Sequence, residues 1–247
     1  MTPCRRLLAA RVHKCVESEL DSTFVVILSR LPITHTGEIC GSADGIMTWI
    51  TTIAYEQAVG TLKKLYDRIK GPDDNVDNIM LAHSLRPHTM EGHMALYKYV
   101  LHHPHNTLEK SFLETVGVYV SLLNKCTYCI EHHYAGLRRL LKDDARASRI
   151  RSALQGADPA AAFDGRELAG LLYAEKLTTD AASLSSEDID ALRAAGFEDG
   201  EILEINQVAA YFAYANRMVL GLGIDTGDDI VGLSPGDAAD PDNWSHG

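Results

Sequence analysis

From Met47 to about Ile224 the apolar residues recur every three or four positions, and no period-2 alternation interrupts them. This restricts the chain to an all-α fold, because a helix gathers i, i+3, i+4 and i+7 on one face whereas a strand sends alternate residues to opposite faces. The pattern predicts a helix over 54–70, with Ala58, Leu62, Leu65 and Ile69 as its stripe and Gly71-Pro72 closing it. Others are predicted over 76–84 and from Pro87 through Val100, where a first-turn proline is tolerated. His103-Pro104-His105-Asn106 breaks the pattern. A helix starting at Thr107 carries Leu113, Val116, Val120 and Leu123, and Lys110 at its fourth position leaves it without a capping box. Later helices are predicted over 126–141, 144–154, 164–179, 186–195 and 199–220; Ser185-Ser186-Glu187-Asp188 is a start signal and Gly196 a stop. Loops this short imply a compact helical bundle.

The flanks differ from the middle. Residues 1–46 have no period and read as an N-terminal extension or an over-long start; residues 47–224 form the helical domain. Residues 225–247 are acidic, rich in Gly, Pro and Asp, and read as an extended or disordered tail. A net charge of −11 disfavours nucleic acid and anionic membranes as partners. No apolar run approaches the roughly 20 residues that span a bilayer. A cytoplasmic location is expected. The five cysteines, an odd number, do not make a secreted disulfide framework. Cys4, Cys15 and Cys40 receive no role. Cys126 and Cys129 are spaced C-x-x-C, which in a reducing compartment points to redox chemistry or a metal.

On a helix, Cys126, Cys129 and His133 fall within an arc of roughly 60°. Asn124-Lys125 can end one helix, which leaves Cys126 at the start of the next, where unpaired N–H groups and the positive dipole end favour a thiolate. His133 can take or hold a thiol proton. Glu114, on the preceding helix, shares a face with small Gly117 and Ser121, so another helix can approach closely and bring the carboxylate towards His133. A Glu–His–Cys relay would let Cys129 attack a peroxide O–O bond and become a sulfenic acid. Cys126 would then condense with it to a disulfide, and an external reductant would exchange at the more exposed sulfur.

The spacing Glu114, eleven residues, Cys126-x-x-Cys129, three residues, His133 resembles the signature of the carboxymuconolactone decarboxylase and alkylhydroperoxidase D superfamily. Leu85-Arg86-Pro87-His88 and the run Glu204 to Arg217 narrow the resemblance to its peroxidase-related branch. The resemblance implies an alkylhydroperoxidase D-like helical bundle that assembles as a homotrimer or homohexamer. It implies a thiol-dependent peroxidase acting on alkyl or hydrogen peroxides, with an external dithiol or lipoyl-type reductant and neither cofactor nor metal. Cys129 would be the peroxidatic thiol, Cys126 the resolving one, and Glu114 and His133 the proton relay. The best-known members place a histidine immediately before the second cysteine; Tyr128 stands there in this chain, so their full relay does not carry over. The decarboxylase members lack the cysteine pair, which disfavours lactone decarboxylation.

Other readings of the same residues remain. Cys126, Cys129 and His132 or His133 could ligate zinc with His83, His88 or His93 as the fourth group, although structural zinc needs four ligands and none lies at short spacing. The pair could instead serve a disulfide reductase or redox sensor, or be a remnant in a helical assembly protein. His132 reads as an exposed neighbour or secondary proton carrier, and His102, His103 and His105 as a solvated loop. Tyr97, Tyr99, Tyr211 and Tyr214 read as core or interface, and Arg86 and Arg217 as partners of carboxylates.

Overall fold

The computed structural model describes residues 48–234 together with Asp240 and Trp244; the expectations for residues 1–46 lie outside the described residues. Among the described residues the fold is all-α, with no strand. In chain order the α-helices are α1 (Gly60–Ile69), α2 (Asn78–Leu81), α3 (Pro87–Tyr97), α4 (Lys110–Leu123), α5 (Thr127–Leu141), α6 (Asp144–Gln155), α7 (Gly165–Thr179), α8 (Ser186–Ala194) and α9 (Asp199–Leu222).

Helix α4 forms the centre of the bundle. Its residues from Phe112 to Ser121 are all buried, as expected of a helix that is apolar on nearly every side. It packs against α5, α7 and α9. Each fully buried Leu, Val or Phe in this core contributes about 1.5–3 kcal/mol of transfer free energy. Helix α9 meets it with Ile205, Val208, Phe212, Ala215 and Val219, one stripe at spacings of three and four. Phe212 lies where a β-carbon of residue 117 would be, so Gly117 lets α9 approach α4.

Several helices begin later than the periodicity predicts, because polar side chains hold the preceding chain. The helix expected from Thr107 starts at Lys110. The Glu204 carboxylate accepts the Thr107 and Leu108 backbone N–H groups at 2.8 and 2.9 Å, which keeps those residues out of the helix. The helix expected over 54–70 shortens to α1. Gly60 takes φ +59°, a left-handed conformation, while the Tyr66 hydroxyl donates to the Ile53 carbonyl and the Ser84 hydroxyl accepts from the Ile53 N–H. Only Asn78–Leu81 of 76–84 is α-helical. The start at Ser185 is a capping box with Asp188.

The segment after α9 returns to the bundle. Gly223 ends α9 at φ +63°. The Asn78 side chain then donates to the Asp225 and Thr226 carbonyls, and its backbone N–H to the Asp229 carboxylate. Residues 225–234 therefore form an irregular strap packed against α2 and α5. Composition misses this because the anchors are single polar contacts rather than an apolar period.

Candidate active site

The site starts at the break between α4 and α5. Lys125 adopts φ +59°, which costs a non-glycine residue about 1–2 kcal/mol. The turn makes Cys126 the N-cap of α5, with its N–H donated to the Ser121 carbonyl at 2.9 Å. One turn on, the Cys129 sulfur lies 3.0 Å from that of Cys126, and both thiols are free. Cys126 is wholly buried and Cys129 is 3 % exposed.

The two thiols differ electrostatically. The Cys126 thiol is held below its usual range, first by hydrogen bonding with the Cys129 thiol, then by the Cys129 backbone N–H, the Asn216 amide and nearby His132, against the opposing effect of burial. Cys129 is pushed well up by Cys126 and by burial. The pair therefore releases one proton readily, holds the second tightly, and carries its charge on Cys126.

Glu114 of α4 and His133 of α5 meet beside this pair, with Nδ1 2.8 Å from Oε2. Both are shielded, their side chains 5 % and 16 % exposed. The Phe212 ring stands edge-on to the His133 ring with centroids 4.5 Å apart, which fixes the imidazole from the α9 side. Glu114, Cys129 and His133 line one narrow cavity of about 60 Å³, room for a few water-sized groups. Met80, Met94 and Tyr97 supply much of its apolar wall. Cys126 lies behind Cys129 and does not line it.

The four residues singled out by spacing, Glu114, Cys126, Cys129 and His133, are thus brought together. Other expectations change. His132 is not exposed: its side chain is 11 % accessible, its ring stacks on Tyr128 at 4.4 Å, and Nε2 lies 3.4 Å from the Asp229 carboxylate. His102 is buried edge-on against Tyr97 rather than solvated. Arg86 and Arg217 donate to the carbonyls of Leu85 and Ala213 rather than to carboxylates. Tyr97 and Tyr211 line the cavity, whereas Tyr99 and Tyr214 are exposed. Among the described residues no group of three or more His, Cys, Asp or Glu is arranged to hold a metal.

Three neighbours of the site were given no part in the thiol chemistry from the sequence, His93 having entered only as a fourth zinc ligand. Asn216 bonds Ser121 through Nδ2 at 3.1 Å and accepts from Asn124 at 3.0 Å, which places its amide at the cysteines. A signal existed: it is an asparagine inside the apolar stripe of α9. His93, on α3, hydrogen-bonds the Tyr211 hydroxyl through Nε2 at 3.2 Å, and burial pushes its pKa down to about 3, so it is neutral. Asp229 comes from the strap, and no local pattern marked it.

Residues 87–176 match the carboxymuconolactone decarboxylase family. This stretch contains α3 through most of α7, and with them Glu114, both cysteines and His133. The chain is also similar to the crystal structure of a peroxidase-related protein from Silicibacter sp. TM1040, 26 % identical, over 64 % of this chain and 79 % of that one, with a TM-score of 0.55. The helical domain thus matches the carboxymuconolactone decarboxylase family over residues 87–176 and is similar to a peroxidase-related protein of the same fold. Two further likenesses concern the fold alone. One is to an alkylhydroperoxidase D core, a peroxidase-related protein from Ralstonia eutropha JMP134, 24 % identical over 74 % of this chain and 94 % of that chain, with a TM-score of 0.62. The other is to the debrominase Bmp8 in complex with 2,3,4-tribromopyrrole, 16 % identical over 74 % and 94 % of the two chains, with a TM-score of 0.56. Nothing among the curated proteins matches the chain. Among the described residues no helix is long and apolar enough to cross a membrane.

Proposed function

We propose that the domain is a thiol-dependent peroxidase that reduces alkyl or hydrogen peroxides and is reset by an external dithiol or lipoyl-type reductant. The observation that supports this reading most strongly is the thiol pair, 3.0 Å apart, beside a Glu114–His133 hydrogen bond of 2.8 Å, with Cys129, Glu114 and His133 on one cavity. Accessibility and acidity point to different cysteines as nucleophile. Accessibility decides, because the peroxide must touch the sulfur, and a proton crosses a 3.0 Å contact easily.

In the reaction, Cys129 passes its proton to Cys126 and attacks one peroxide oxygen. The O–O bond breaks, Cys129 becomes a sulfenic acid, and the alkoxide or hydroxide takes a proton from His133, which Glu114 orients. Cys126 then gives up its proton and attacks the sulfenic sulfur, so the S–O bond breaks and water leaves. Closing the disulfide requires the sulfurs to approach to about 2.05 Å. The dithiol returns two electrons and two protons. An assembly of three or six copies and a cytoplasmic location belong to the same reading.

The test is turnover of hydrogen peroxide and cumene hydroperoxide with dithiothreitol as reductant. Cys129→Ser is expected to abolish turnover. Cys126→Ser is expected to reduce one equivalent of peroxide and then stall. Repeated turnover by the Cys129→Ser protein would remove the assignment, and rapid disulfide exchange without peroxide consumption would make the domain a disulfide reductase.

A further inference from the structure

The Asp229–Tyr128–His132 cluster is not used by this chemistry. Asp229 belongs to the strap, yet its side chain is only 3 % exposed. The Tyr128 hydroxyl donates to its Oδ2 at 2.7 Å, the Asn78 N–H donates to both carboxylate oxygens at 3.0 and 3.1 Å, and His132 Nε2 faces Oδ2 at 3.4 Å. Tyr128 is fixed in turn, since its oxygen accepts the Ile79 N–H at 3.2 Å and its ring stacks on His132. Burial and the Asp229 charge push the Tyr128 phenol well up, so it stays a donor. His132 lies one turn after Cys129, lines the same cavity, and is close enough to Cys126 to favour its thiolate.

A carboxylate at one ring nitrogen sets the tautomer and orientation of an imidazole. The Asp229 carboxylate faces Nε2 at ion-pair distance, without a hydrogen bond, and favours the proton there, so Nδ1 is the atom left to exchange protons. The charged and titratable groups around His132 are Asp229 on the strap, Asp77 before α2, Tyr128 stacked on its ring, Cys126, Cys129, and the Glu114–His133 pair. In the peroxidase reading that pair serves the peroxide step, so deprotonation of the reductant's attacking thiol calls for a separate base.

Resting on the peroxidase reading, we propose that Asp229 is a positioning residue that holds His132 as a second acid–base group, dedicated to reduction of the Cys126–Cys129 disulfide. The reductant's thiolate attacks Cys129 Sγ, the sulfur that lines the cavity, and forms a mixed disulfide. The S–S bond breaks, its electron pair leaves on Cys126 as the thiolate the site favours, and His132, on the cavity where the reductant enters, takes the proton that the attacking thiol gives up. The second thiol of the reductant then attacks its own sulfur in the mixed disulfide, releases Cys129 and leaves as a cyclic disulfide. Two electrons pass from dithiol to protein; one of the dithiol's protons ends on Cys129, and the other leaves by way of His132. Tyr128, at the position where the best-known relatives carry a histidine, would then serve the strap instead of the proton.

The experiment separates the two half-reactions by stopped flow. For the reductive half, the full-length protein is oxidised with diamide and then mixed with dithiothreitol, so this readout survives should peroxide prove not to be the substrate. Asp229→Asn and His132→Gln are each expected to slow disulfide reduction about tenfold and to flatten its pH profile. Single-turnover oxidation by hydrogen peroxide should slow at least threefold less than reduction does, and the double variant should be no slower than either single one. Tyr128→Phe loosens the strap but leaves the carboxylate at His132, and is expected to keep the wild-type pH profile. Equal slowing of both half-reactions, an unaltered reductive pH profile in Asp229→Asn, or a profile in Tyr128→Phe altered like that of Asp229→Asn would overturn the proposal.

Discussion

Gly117→Ala tests whether the α4–α9 contact holds the site in shape. The new β-carbon would lie 2.2 and 2.3 Å from Cε2 and Cζ of Phe212, and 2.9 Å from Cδ2. To restore ordinary contact the ring must retreat by roughly 1.2 Å. Overpacking of this kind costs about 1–3 kcal/mol, and the helix preference of Ala over Gly returns about 1 kcal/mol. The net loss is about 0–2 kcal/mol, a fall in Tm of up to roughly 8 °C for a domain of this size, and about 1–3 kcal/mol relative to a Gly→Ala change that meets no clash. The same ring is packed edge-on to His133, so its retreat frees the imidazole that Glu114 orients. Misplacing a catalytic group by 1 Å can cost about 100-fold, so at least a tenfold slower peroxide reaction is expected. Gly136→Ala is the control, because its β-carbon would meet only Glu114 atoms at 4.0 Å, an ordinary contact. Differential scanning calorimetry gives Tm, and stopped-flow tryptophan or thiol signals give the rate. If Gly117→Ala melts as high as Gly136→Ala and reacts at the wild-type rate, the close approach of Phe212 does not hold the relay.

Three further outcomes follow from the site. Cys129→Ala removes the group that lowers Cys126 most, so thiolate absorbance near 240 nm should titrate at higher pH than in the wild type; an unchanged midpoint would assign the low value to the helix end and Asn216 instead. Glu114→Gln keeps the shape but loses the charge beside His133, and is expected to slow peroxide reduction by about 10²-fold and alter its pH profile while circular dichroism stays native. His93 is neutral when folded, with its pKa near 3, but ionises near 6.5 when unfolded. The unfolded chain therefore binds the extra proton over that interval, and stability should fall on acidification from pH 6.5 towards 3 by about 1.4 kcal/mol per pH unit from this group. Urea titrations of His93→Gln should show a shallower dependence, and an equal slope would mean the ring takes up its proton without unfolding.

Local pattern was sufficient for most of the helices, because each core-facing stripe repeats at the helical period whatever it packs on. α5, α6, α7, α8 and α9 begin within a residue or so of their predicted starts, where Asp143, Ser185 and Glu198 cap three of them with side chains adjacent in sequence. The predictions failed where the deciding contact was distant. Glu204 holds Thr107 and Leu108 across 97 and 96 positions, and Asp229 reaches Asn78 across 151. The aperiodic strap read as a tail for the same reason.

The candidate residues were legible as a set because Cys129 and His133 share one face of α5 with Cys126 at its N-cap, and helical geometry places them together once the helix is recognised. Sequence could not say which cysteine faces the cavity, that Asn216 lies at both sulfurs, that His132 is buried against Asp229, or that Phe212 braces His133. Those facts depend on how α9 and the strap dock on α4 and α5. Docking is set by the fit of surfaces far apart in the chain, so burial and charge around each sulfur exist only once the bundle has closed.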